Sequence, residues 1–105
     1  EDVVQGIIAA GTKKESIGEV INLGNPVENS MKEAIDFIIE VSNSELKPQA
    51  INTKERYGSL YEDIPRRVPS VDKARDILGW EPSTSLREGI EKTIKWVNNN
   101  PWYLK

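Results

Sequence analysis

The sequence predicts a small α/β fold of about four helices with two or three short strands. Three observations carry that expectation. Two capping boxes, Ser30 with Glu33 and Ser85 with Glu88, each open an apolar stripe of helical period. The stretch GEVINLG at 18–24 alternates its side chains between two glycines, the pattern of a strand running into a turn. A third helix start stands at Ser70, with Gly79 placed at the left-handed stop position. At 105 residues the chain has the size of one compact domain, with a core but a large share of surface.

Taken in order, Val3, Val4, Ile7 and Ile8 recur as one stripe of an amphipathic helix, which Gly11 is placed to end. Val20 and Asn22 then alternate with Ile21 and Leu23, and the turn GNP leads toward the next helix. In the Ser30 capping box each side chain satisfies the other residue's free backbone N–H, and Ala34, Ile35, Ile38, Ile39 and Ser42 trace a face from 30 to about 41. SNSELKPQ reads as a loop and AINTK as a strand candidate, followed by an aperiodic segment from Arg56 to Pro69. Ser70 caps a short helix with Val71, Ala74, Ile77 and Leu78 inward. The last helix turns Leu86, Ile90, Thr93, Ile94 and Val97 toward the core, which Trp96, Trp102 and Tyr103 are expected to cover.

Composition narrows the function. A net charge of −3 and a pI near 5.0 argue against nucleic-acid binding, which needs a basic face. No apolar run approaches the ~20 residues that span a bilayer, and no signal-peptide pattern opens the chain. A soluble, cytoplasmic protein is the expectation. Cysteine and histidine are both absent, which excludes disulfides, thiolate nucleophiles and the commonest general base. The chain opens EDVVQGIIAAG, without Met and already inside a helical pattern, and reads as a piece of something longer.

The stretch YEDIPRRVPS holds the sharpest chemical signal. Arg66 and Arg67 stand side by side between Pro65 and Pro69, just ahead of the Ser70 helix. Arginine favours planar, bidentate partners such as phosphate, and the prolines lower the ordering cost of the loop. A helix N-terminus adds partial positive charge. Tyr57 and Tyr61 offer ring faces and hydroxyls. A nucleotide has both parts, ring and phosphate. On these residues alone the plainer reading has the edge: surface ion pairs with Glu62 and Asp63, and tyrosines that pack the loop. Ser70 and Lys73 have the spacing of an acyl-transfer nucleophile without its companion motifs, so the cap role stands. Glu1–Asp2, Glu62–Asp63 and the Asp72/Asp76 pair read as solvated surface.

The order D-x-P-R-R-x-P-S-x-x-K-A-x-x-x-L-G-W-x-P from Asp63, followed by S-L-x-E-G-I from Ser85, resembles the C-terminal part of the NAD-dependent epimerase/dehydratase family. These are the extended short-chain dehydrogenases that act on nucleotide sugars. The resemblance covers nearly the whole chain. INLGNP and the tyrosine-rich loop look most like UDP-glucuronate decarboxylases, with dTDP-glucose 4,6-dehydratases, which are lyases, and UDP-sugar 4-epimerases close behind. The resemblance implies a C-terminal lobe that closes over a nucleotide-diphosphate sugar. Arg67 would be its charge partner and Tyr61 would lie by the nucleotide, with Arg66 and Tyr57 as further substrate-binding candidates. It implies tightly held NAD, oxidation at sugar C4, an N-terminal Rossmann domain in the same chain and a homodimer at full length. The family's glycine-rich NAD loop and catalytic Tyr-x-x-x-Lys do not occur in these residues, so no catalytic residue is assigned and no cofactor is expected on this segment alone. A free-standing α/β module that kept the fold for binding or assembly is the alternative.

Overall fold

The computed structural model describes residues 1–58 and 64–104. Its helices are α1 (Asp2–Thr12), α2 (Met31–Ser42), α3 (Thr53–Tyr57), a π-helical segment (Ala74–Leu78) and α4 (Leu86–Asn99), with single 3-10 turns at Lys14–Ser16 and Pro101–Leu104. The expected α/β class is overturned, because no strand occurs among the described residues. The alternation in GEVINLG is nevertheless physical. Ile21 and Leu23 are half-buried while Val20 and Asn22 are exposed. A strand needs a hydrogen-bonded neighbour as well as an alternating surface, and here Ile21 and Leu23 pack on a core built from helical residues, with Leu23 against Gly6 of α1. AINTK fails as a strand for a different reason. The Asn52 side chain accepts from the Lys54 N–H at 3.1 Å and so caps α3.

The chain divides into two compact units, Glu1–Glu28 with Val68–Ser85, and Asn29–Arg67 with Leu86–Lys105. In the first, Val71, Ala74, Leu78 and Trp80 are 0–6% exposed and form the core, joined by Ala9, Ala10, Ile21, Leu23 and Ile77. The expected inner face of the Ser70 helix is therefore the core itself. Gly79 ends it at φ 61° and ψ 30°, and the Trp80 N–H donates back to the Ala74 carbonyl at 3.3 Å. That reversal drops the Trp80 ring into the core.

The face that α1 buries differs from the one its apolar stripe suggests. Gly6 is buried, and a Cβ there would stand 2.8–2.9 Å from the Leu23 methyls and 3.2 Å from the Trp80 ring. Only glycine lets the helix approach this closely. Val3, Val4, Ile7 and Ile8 face solvent instead. Gly11 is not the stop either, since α1 runs on to Thr12 and leaves through an extended Lys13.

In the second unit the Ser30 capping box is complete: the Glu33 N–H donates to Ser30 Oγ at 3.1 Å, and the Ser30 N–H to Glu33 Oε2 at 2.7 Å. Asn43, left-handed at φ 53°, closes α2. α4 begins directly after Ser85 and packs on α2. Arg87 grips Glu40 with two hydrogen bonds of 2.8 and 2.7 Å, its guanidinium carbon 5.6 Å from the centre of the Phe37 ring. Leu86, Ile90, Ile94 and Val97 are half-buried as expected, but Thr93 is exposed. Trp96, Trp102 and Tyr103 do not cover a core. They are exposed and meet one another edge to face at 5.2–6.1 Å.

Candidate functional site

The second unit holds the arginine loop and the tyrosine that precedes it. Asn52 starts α3, and its Nδ2 donates to Glu55 Oε1 at 2.9 Å, so both polar side chains at the helix start are satisfied locally. Tyr57 is the last residue of this five-residue helix, and Gly58 turns the chain at φ 96°, a region that favours glycine. Ala50, Ile51, Asn52, Glu55, Arg56 and Tyr57 line an open hollow of about 630 Å³. Tyr57, 61% exposed, offers its ring there. Arg56 lines the same hollow, so a cation and an aromatic ring share one surface. That pairing suits a flat, anionic ligand.

Sequence reading placed Arg56 in an aperiodic segment. The signal that could have found it is Asn52 followed three residues on by Glu55, a helix-start pattern that makes Arg56 and Tyr57 the end of a helix rather than free loop. Arg66 and Arg67 are both exposed, and Arg67 has no hydrogen-bond or ion-pair partner among the described residues. Tyr61, Glu62 and Asp63 lie outside the described residues.

The remaining candidates resolve into structural roles within the first unit. Ser70 Oγ donates to Asp72 Oδ2 at 2.8 Å and accepts from the Asp72 N–H at 3.4 Å, while Lys73 pairs with Glu19. The serine and lysine are therefore engaged with different partners, as a cap and an ion pair. The helix start also carries its own carboxylate, Asp72, which is bound at 3.2 Å by Arg75.

Asp2 is more than solvated surface. Its two carboxylate oxygens accept from the N–H groups of Ser83 and Thr84 at 2.9 and 2.8 Å and from both hydroxyls at 3.1 Å. The Thr84 N–H foremost, with Ser83 N–H and both hydroxyls adding, holds this carboxyl below the ordinary aspartate range. A second hollow of about 330 Å³ beside these residues is bordered by Asn25, Val71 and Arg75. Its polar groups are already matched: Arg75 with Asp72 and Glu81, and Asn25 with the Thr84 carbonyl at 3.2 Å. It is held by internal bonds.

No family model matches the chain, and no solved structure matches it. Among curated proteins it is similar to a UDP-N-acetyl-alpha-D-glucosaminuronate decarboxylase of Bacillus cytotoxicus, 33% identical over 95 residues. Those residues are 90% of this chain and 29% of that protein, so the chain spans less than a third of its relative's length. A partial homologue of the chain is thus a UDP-sugar decarboxylase, which supports kinship with enzymes that modify nucleotide sugars. No helix among the described residues is long and apolar enough to cross a membrane.

Proposed function

We propose that these residues form the nucleotide-sugar-binding lobe of a cytoplasmic NAD-dependent epimerase, dehydratase or decarboxylase. The observation that supports this reading is the similarity to a UDP-sugar decarboxylase along nine-tenths of the chain. In this reading Arg67 is the charge partner of the diphosphate, because an exposed guanidinium presents a planar fork of donors that suits a bidentate anion. Tyr61 is the nucleotide contact, with Arg66 and Tyr57 as further contacts. Arg56 joins them on the hollow it shares with Tyr57.

In this reading no NAD is expected on these residues, whose sequence contains no G-x-G-x-x-G turn and no Tyr-x-x-x-Lys. In this reading NAD and the oxidation at sugar C4 belong to a Rossmann domain elsewhere in a longer, homodimeric protein. No residue of this chain is assigned a part in that oxidation.

Calorimetric titration of the chain with UDP and with UDP-sugars tests the assignment. Arg67→Ala should weaken binding by ~10–150-fold, the loss of a charged hydrogen bond worth ~1.5–3 kcal/mol. An unchanged dissociation constant would remove Arg67 from the site, and no binding of any UDP compound to the wild-type chain would overturn the lobe reading.

A further inference from the structure

The GNP turn sits against the root of the arginine loop. Exposure changes abruptly there: Arg66 and Arg67 are exposed, whereas Val68 and Pro69 are half-buried. A Cβ built on Gly24 would stand 2.8 Å from Pro69 Cγ, closer than real side chains approach, so only glycine lets the turn meet the proline ring. Gly24 does not have a positive φ, so space and not backbone conformation demands glycine. One residue beyond the ring, the Ser70 carbonyl accepts from Asn22 Nδ2 at 3.5 Å. The turn is itself held. Leu23 packs on the core, Asn25 Nδ2 donates to the Thr84 carbonyl at 3.2 Å, and Asn25 Oδ1 accepts from the Val27 N–H at 2.9 Å. All of these contacts lie within the first unit.

We propose that Gly24 is a positioning residue for Arg67: its contact with Pro69 fixes the point of the chain from which the guanidinium is presented to the diphosphate. This rests on the reading of Arg67 as the charge partner of that diphosphate. Only Val68 separates Arg67 from the anchored ring, and a residue that precedes proline is confined to extended backbone. The ring fixes φ of Pro69 as well. Few free torsions therefore remain between the turn and Arg67, and an arginine whose backbone is already ordered loses less freedom when it takes a bidentate anion.

Calorimetric titration of UDP into the wild-type chain, Gly24→Ala, Pro69→Ala, the double variant and Leu78→Ala, with a thermal melt of each, tests the assignment. Each single substitution at the contact should weaken binding ~2–10-fold, the ordering cost of one long side chain. The double variant should recover affinity, because the Cβ gained at position 24 and the Cβ kept at position 69 would stand 3.6 Å apart, an ordinary contact. Leu78→Ala opens the core of the same unit and should lower the melting temperature at least as far, while binding like the wild type at temperatures where it stays folded. A Gly24→Ala chain with wild-type affinity would overturn the proposal. So would a double variant no tighter than the weaker single one, or a Leu78→Ala chain that loses affinity in step with Gly24→Ala. If Gly24→Ala does not fold, Pro69→Ala and the double variant decide on the same terms. Failure of the wild type to bind UDP would overturn the nucleotide-sugar reading and the role of Gly24 with it, an outcome distinct from wild-type binding that the substitution leaves unchanged.

Discussion

The two units are held together by different physics. In the first, four side chains are nearly or wholly removed from water, and bonds between residues far apart in sequence tie the surrounding segments to them. The Trp80 indole N–H donates to the Asp2 carbonyl at 2.8 Å, and the Asp2 carboxylate reaches Ser83 and Thr84, more than 80 positions away. In the second, no described residue of α2, α3 or α4 is fully buried, and the helices rely on half-exposed apolar faces, caps and the Arg87–Glu40 pair. Desolvated packing gains free energy with each methylene removed from water, whereas an exposed ion pair gains little because water competes for both partners. The first unit should therefore be intolerant at single positions, and the second tolerant at most.

Trp80→Ala should give the largest effect. It leaves a cavity in the core and removes the indole bond to Asp2, a loss on the order of 3–5 kcal/mol. Residue-resolved hydrogen exchange should show protection lost across α1 and the 71–80 segment while α2 and α4 keep theirs. Equal loss in both units would break the comparison, since it would mean that one cooperative transition holds the whole chain.

A smaller effect is expected from Asp2→Asn, which removes the charge but keeps the shape. The carboxyl of Asp2 is depressed in the folded state, so the unfolded state binds the proton more readily. Its contribution is therefore present above the ordinary aspartate value near 3.8 and is lost as pH falls through the lower folded value. Melting curves between neutral and strongly acidic pH should show a steeper acid limb for the wild type than for the variant. Parallel limbs would mean that the four hydrogen bonds do not discriminate between the charged and neutral carboxyl.

The smallest effect belongs to Arg87→Lys, which keeps the charge and loses the two-pronged grip on Glu40. Arg87 holds the Glu40 carboxyl below its usual range, yet the pair is largely exposed. A slight fall in melting temperature that disappears in high salt is the expected result. A fall as large as that of Trp80→Ala would sharpen the comparison in the opposite direction, making this pair the anchor of its unit.

Much of the molecule was legible because the signals are local. A capping box specifies its own hydrogen bonds within four residues, and Ser30, Glu33 and Gly79 took the conformations expected of them. Val71, Ala74 and Leu78 were readable as a core face from their spacing alone. The arginine loop was legible as a cluster of chemical types, whereas Tyr57 and Arg56 share a hollow because Asn52 starts a short helix that ends at Tyr57. Asp2 was not legible at all. Nothing in an Asp at position 2 announces a loop more than 80 residues away.

The amino-acid sequence by itself determined the helix starts at Ser30 and Ser70, the stop at Gly79, the inward face of the 71–78 segment, and which loop carries paired guanidinium groups, since each depends on neighbours within a turn or two. The tertiary structure alone decided that GEVINLG would alternate its burial without becoming a strand, because pairing requires a second segment that pattern cannot summon. It also decided which side of α1 faces inward. The bulkier stripe has more apolar area to bury, but only the Gly6 side admits Leu23 and Trp80 at contact distance, and close packing in the interior outweighed the larger area on the other face.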